Sequence, residues 1–217
     1  IAKAEVSADL QLSATMFGLA SGIFFIGYVL VEVPSNLALV RFGARRWLAR
    51  IAVSWGVVAV ALGFAPNATI LLVLRFLLGV AEAGLFPGVV FYLSQWFPAA
   101  YRARVVGVFM LAIPIASAIG TPLAAWLIQT GHGVFGGAGW RFMVICVGRP
   151  AVLLGIVCWF YLTDRPADAH WLTDPQRRWL TDTLAAAHHD TAARPRHPSR
   201  RTPTSPRVWG PALAHFA

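Results

Sequence analysis

Apolar residues run through this chain in long blocks, and polar residues interrupt them at short, near-regular connectors. A helix that crosses a bilayer needs about 20 mostly apolar residues. Five runs fit that description, over residues 16–39, 48–64, 69–91, 105–128 and 142–162, the second being the shortest. The connectors carry helix breakers: Phe42-Gly43-Ala44, Ala65-Pro66-Asn67, Trp96-Phe97-Pro98 and the stretch 130–139. Connectors this short join antiparallel neighbours in a bundle. The pattern predicts an all-α membrane bundle over residues 1–162.

The pattern changes after Leu162. Thr173, Pro175 and Gln176 read as the start of a helix, with Thr173 as cap. Trp179, Leu180 and Leu184 give that helix an apolar edge, which suits the cytoplasmic membrane surface. From Ala192 the chain is rich in Pro, Arg, Ser and Thr, a composition that cannot bury a core and predicts a disordered basic linker beside anionic lipid. Residues 163–206 thus form a cytoplasmic loop, and the apolar stretch 207–217 opens a further span.

Arginine placement orients the bundle, because basic residues collect on cytoplasmic loops. Arg41, Arg45, Arg46 and Arg50 flank the first connector, and Arg102 and Arg104 the third. The second connector has no basic residue, and the fourth has only Arg141 and a histidine. The first and third connectors are therefore expected inside, with the N-terminus outside. Trp47, Trp96, Trp126, Trp140 and Trp159 fall near span ends, where interfacial anchors belong. Small residues at Gly18/Gly22, Gly84/Gly88 and Ala112/Ala116/Gly120/Ala124 mark candidate packing ridges. The first residue is Ile1 and no signal peptide opens the chain, so the sequence reads as a piece of a longer protein.

Composition narrows the function. Hydrophobic residues make up 58% of the chain and charged residues only 12%, about half the usual share for a soluble domain. Mean hydropathy of +0.64 agrees. The net charge of +9 does not imply nucleic acid, because the arginines sit at span ends and in the tail instead of forming a continuous basic face. Lys3 is the only lysine, so no phosphate-binding Walker loop exists in this stretch. Cys146 and Cys158 lie in one apolar run and cannot build a four-ligand metal site. No cofactor is expected. No nucleophile–base pair stands out, which argues against an enzyme.

Two charged residues fall inside one span. Arg75 and Glu82 are seven residues apart, about two helical turns, and so project from nearly one face about 10 Å apart along the axis. Charge at bilayer depth is costly and ordinarily faces a cavity or a partner. A guanidinium there can grip a carboxylate bidentately, and a partly desolvated carboxyl group can carry a proton. The bland alternative is an arginine and a glutamate that only tie helices together. Tyr28 and Glu32 share a face of the first span. Tyr28 offers a hydroxyl to a substrate or simply packs. Glu32 lies nearer the cytoplasmic arginines, so a gating or anchoring ion pair with that loop suits it better than a proton site.

The run 18–36, with Gly18, Tyr28, Glu32, Pro34 and Asn36, resembles the second helix of the anion:cation symporter family of the major facilitator superfamily. Arg41-Phe42-Gly43-Ala44-Arg45-Arg46-Trp47 is similar to the loop after it. The run from Arg75 through Gly79, Glu82, Gly84 and Pro87 to Gly88 resembles the fourth helix. Trp96-Phe97-Pro98 with Arg102 and Arg104, and the run from Asp164 to Leu172, resemble later segments. The resemblance implies a twelve-helix transporter working by alternating access. This chain would supply helices two to six and the start of the seventh, and a missing C-terminal half would complete it. It further implies proton-coupled uptake of an organic anion, such as a sugar acid, tartrate or an aromatic acid, across the cell membrane. Arg75 and Tyr28 would contact substrate, Glu82 would couple the proton, and Glu32 with Arg41, Arg45 and Arg46 would serve the gate. Val40, Val147 and Arg149 depart from the family pattern. These departures keep open a non-transporting scaffold or sensor, or an inactive fragment, of the same fold.

Overall fold

The computed structural model describes residues 2–134 and 137–193, and among them every regular element is helical. A short helix α1 (Ala2–Asp9) precedes α2 (Ala14–Phe42), α3 (Ala44–Leu62), α4 (Ala68–Glu82), α5 (Leu85–Trp96), α6 (Ala99–Gly131) and α7 (Gly139–Tyr161). A 3₁₀ turn at Pro166–Asp168 then leads to α8 (Asp174–Ala193). The segments beyond Ala193, where the linker and the further span were expected, lie outside the described residues.

Caps explain most of the boundaries. Ser13 accepts from the Met16 N–H at 3.2 Å and Asn67 accepts from the Ile70 N–H at 2.9 Å, each satisfying an orphan donor of a first turn. At the start of α8 the Thr173 N–H donates to Gln176 Oε1 at 3.2 Å, the reciprocal half of a capping box. Arg102 donates to the carbonyls of Phe97 and Ser94, both at 3.0 Å, and so closes the carbonyl end of α5 with a cation.

Gly43 alone separates α2 from α3. Its φ of 88° lies in the left-handed region, and a Cβ there would meet the Asp164 carboxylate at 3.0 Å. That carboxylate accepts from the Arg45 N–H at 2.7 Å. It thereby caps a helix whose first turn otherwise holds two arginines at its positive end.

Among the described residues, four helical stretches are long and apolar enough to cross a membrane: Ala14–Phe42, Ala68–Trp96, Ala99–Gly131 and Gly139–Tyr161. The sequence pattern predicted five. The remaining one, α3, has 19 residues and includes Arg45, Arg46 and Arg50, so it falls short on charge. It is nonetheless integral to the bundle, packing along α7 and against α4, while α2 packs along α4 and α6 against α7.

Glycine seams set these approaches. Gly56 on α3 and Gly63 just after its last turn are seven residues apart, as are Gly148 and Gly155 on α7. A Cβ on Gly56 would lie 2.7 Å from the Val152 nitrogen, and one on Gly155 2.8 Å from the Val53 nitrogen. At the α2–α4 crossing, a Cβ on Gly79 would run into the Phe24 carbonyl oxygen, and one on Gly27 would lie 2.5 Å from that of Phe76. Close backbone approach through small residues is how helices associate where lipid removes the hydrophobic incentive.

The expected ridges fare unequally. Gly84 and Gly88 pack against Ser35 and against Leu39 and Leu48, but nothing described lies within 4 Å of a Cβ on Gly18, Gly22 or Gly120. Those ridges face outward among the described residues, because α2 and α6 are the outer members of the row of packed helices.

Trp140 also departs from expectation. Instead of anchoring in the interface it is 2% exposed, in a core with Leu12, Leu62, Ala65 and Leu71.

Candidate functional site

The segment Ala68–Trp96 is not one helix. α4 ends at Glu82 after 15 residues, and the whole segment has 29, so Glu82 is its middle residue. The chain turns at Ala83 and at Gly84, whose φ is 87°. Pro87 gives a local reason: it has no N–H to donate to the Ala83 carbonyl four residues back. A hydroxyl donates instead. Ser35 on α2, 2% exposed, gives its proton to that carbonyl at 2.6 Å. Trp47 on α3 in turn donates its indole N–H to Ser35 Oγ at 3.0 Å. Three helices are therefore hydrogen-bonded to one another at a discontinuity in the middle of a span. Sequence reasoning missed Ser35 and expected Trp47 only as an interfacial anchor, and the spacing of Pro87 from Ala83 was the one local signal of the break.

Arg75 and Glu82 are both half-buried, neither turned fully outward nor sealed. Arg75 borders a cavity of about 90 Å³ together with Val6, Phe17, Leu71 and Trp140. That volume has room for several waters but is well below that of an ordinary ligand pocket. Among the described residues Arg75 makes no ion pair, and its Nε is buried with no hydrogen-bond partner. Glu82 likewise has no ion-pair partner there. The two charges do not neutralise each other. The α2–α4 crossing at Gly27 and Gly79 brings Tyr28 beside the same stripe, within electrostatic reach of both Glu82 and Glu32.

The residues expected at the cytoplasmic gate are only partly brought together. Arg41 lies against the Phe42 ring at 5.8 Å, Arg45 bonds Asp164 through its main chain, and Arg46 is exposed. Among the described residues Glu32 forms no ion pair with any of them. The Val40 and Val147 side chains are exposed, at 67% and 46%, and Arg149 is exposed near the middle of α7.

A second polar cluster lies at the opposite end of the bundle. Asp9 accepts from the Trp140 indole N–H and from Arg141 Nε, each at 2.9 Å. Arg141 also donates to the carbonyls of Gly63 and Ala65, at 3.2 and 2.7 Å. Glu5 accepts from the Trp140 backbone N–H at 3.2 Å and lies 2.9 Å from His132 Nε2. Sequence reasoning missed this cluster, because Glu5 and Asp9 lie more than 120 residues from His132, Trp140 and Arg141. No group of three or more metal-ligating side chains occurs among the described residues.

A protein of Agrobacterium vitis provisionally named a tartrate transporter is 50% identical over 172 residues, which is 79% of this chain and 40% of that protein. A protein of Pseudomonas putida provisionally named the metabolite transport protein NicT is 42% identical over 79% of this chain and 39% of its own length. The chain thus spans about two fifths of the length of these relatives. A crystal structure of a bacterial homolog of the human lysosomal transporter Spinster, inward-facing and unoccupied, superposes with a TM-score of 0.63. It has 21% identity and covers 76% of this chain and 38% of that one, a likeness of fold alone. The profile of the Major Facilitator Superfamily, a family of transporters and not of enzymes, matches residues 1–216. This multi-pass membrane chain belongs to the Major Facilitator Superfamily.

Proposed function

We propose that this protein serves as a secondary transporter that carries a small organic carboxylate into the cell with a proton, by alternating access in the cell membrane. The observation that carries this reading is Arg75, a half-buried guanidinium whose Nε is enclosed without a partner beside a small cavity. A buried charge left without a counter-charge is costly. An anion that arrives and leaves would supply the counter-charge only while bound. Tyr28 would add a hydroxyl contact. Glu82 would carry the proton, placed at mid-span where the helix is interrupted, an arrangement that recurs at transporter sites. Glu32, Arg41, Arg45 and Arg46 would act at the cytoplasmic gate in another conformation, with a C-terminal half completing the pathway. Tartrate is the first substrate to test, from the naming of the relative in Agrobacterium vitis.

The test is uptake of labelled tartrate into proteoliposomes by the protein its complete reading frame encodes. A proton gradient should drive accumulation. Glu82→Gln should abolish accumulation while leaving exchange of internal for external substrate. Wild-type uptake indifferent to the gradient and to a protonophore would reject the coupling. A non-transporting sensor is the second reading, favoured by Glu32, which has no ion-pair partner among the described residues, and by the exposed mid-span Arg149. It predicts binding of a carboxylate with no flux.

A further inference from the structure

The end of the bundle that carries Arg102 and Arg104 holds a groove of about 410 Å³, enclosed by the end of α5, the start of α6 and one side of α8. Its walls include Trp96, Tyr101, Arg104, Trp171, Trp179 and Leu180, and the surface they present to it is nearly all carbon. Trp96 and Trp171 stack with ring centroids 5.6 Å apart and an interplanar angle of 10°. The Trp96 indole N–H is held by the Thr163 carbonyl at 3.2 Å, so this wall is fixed. Trp171 and Trp179 remain 68% and 63% exposed. Arg104 is exposed too and has no ion-pair partner among the described residues, whereas Asp174 on α8 is paired with Arg177 at 3.4 Å.

We propose that this groove binds one anionic phospholipid of the cytoplasmic leaflet, an acyl chain lying along the tryptophan walls and the phosphate engaging Arg104. The proposal does not depend on what the protein transports. Arginine placement puts this end of the bundle at the cytoplasmic surface. There, tryptophan rings sit at headgroup level and anionic lipids attract basic side chains. The volume falls in the range of ordinary ligand pockets. The charge complementarity is specific: one unpaired guanidinium, which matches a phosphate bidentately, at an otherwise apolar slot. A polar peptide would leave its backbone groups unsatisfied against such walls, and a zwitterionic lipid would bring its own ammonium beside the arginine along with its phosphate. α8 is then half of a lipid clamp as well as an amphipathic helix resting on the membrane.

The experiment places the protein encoded by the complete reading frame in nanodiscs of phosphatidylcholine doped with a small fraction of dibrominated phosphatidylglycerol or dibrominated phosphatidylcholine. Quenching at Trp179 is read as the difference between wild type and Trp179→Phe. One unpaired arginine at an anionic surface corresponds to about a fivefold preference. The brominated phosphatidylglycerol should therefore quench Trp179 at correspondingly lower mole fraction. Arg104→Gln, on an exposed position, should remove that preference while leaving quenching by phosphatidylcholine intact. Equal quenching by the two lipids, a preference that survives Arg104→Gln, or no quenching by either (a groove filled by protein) would each overturn the proposal.

Discussion

Ser35 Oγ lies 2.6 Å from the carbonyl oxygen of Ala83, so a hydroxyl on α2 makes the bond that Pro87 cannot make. Ser35 Oγ in turn accepts from the Trp47 indole N–H. Removing the hydroxyl strands two groups at once, and a buried unsatisfied group costs about 1–3 kcal/mol. Ser35→Ala should therefore lower the thermal midpoint clearly. Trp47→Phe, which removes one donor and leaves the Ser35–Ala83 bond, should lower it less. Melting of the purified variants in detergent checks the order. Equal midpoints for Ser35→Ala and wild type would show that the bond contributes nothing.

Gly79 is the tightest point of the α2–α4 crossing. A methyl group there would be driven into the Phe24 carbonyl, which is backbone and cannot rotate away. Gly79→Ala should force the two helices apart and cost several kcal/mol, beyond the ordinary 1–3 kcal/mol of overpacking. Gly18→Ala, where nothing described lies within 4 Å, should stay within about 0.5 kcal/mol. Size-exclusion profiles and melting of the two variants separate them.

Arg141 ties Asp9 to the carbonyls of Gly63 and Ala65 and lies over the Trp140 ring at 4.8 Å. A lysine keeps the charge but cannot aim several donors in a fixed plane. Arg141→Lys should cost about 1–3 kcal/mol. It should also raise hydrogen exchange at the end of α3 more than in the centre of α7.

Arg149 is exposed near the middle of α7 with no ion-pair partner among the described residues. An arginine at the centre of a membrane helix costs about 2.5–3.5 kcal/mol on insertion scales. Arg149→Leu should raise the inserted fraction of an α7 reporter and the yield of the purified protein. No gain would mean that another surface already accommodates the guanidinium.

The fold was legible because lipid imposes a length on every span, and runs such as 16–39 and 105–128 carry that length openly. α3 was harder, since Arg45, Arg46 and Arg50 occupy its first two turns. The interruption at Ala83–Gly84 was hidden because the run 69–91 keeps the hydropathy of a single span despite Arg75 and Glu82, and hydropathy cannot see a missing N–H. Arg75 and Glu82 were visible as charges where none should be. The two hydrogen-bonded clusters were not visible, since Ser35 meets Trp47, and Asp9 meets Arg141, only through tertiary packing. Trp140 shows the same limit: its position near a span end suited an anchor, but Asp9 and the surrounding helices draw it inside.

The most direct test of the account is calorimetric titration of tartrate into the purified protein encoded by the complete reading frame, compared with Arg75→Gln and Arg75→Lys. A charge-assisted, bidentate grip is lost with the guanidinium. Wild type should bind, Arg75→Lys should bind more weakly, and Arg75→Gln should lose at least about tenfold in affinity, the equivalent of one charged hydrogen bond. Tartrate binding of equal strength in wild type and Arg75→Gln would contradict the assignment of Arg75 as the anion's counter-charge.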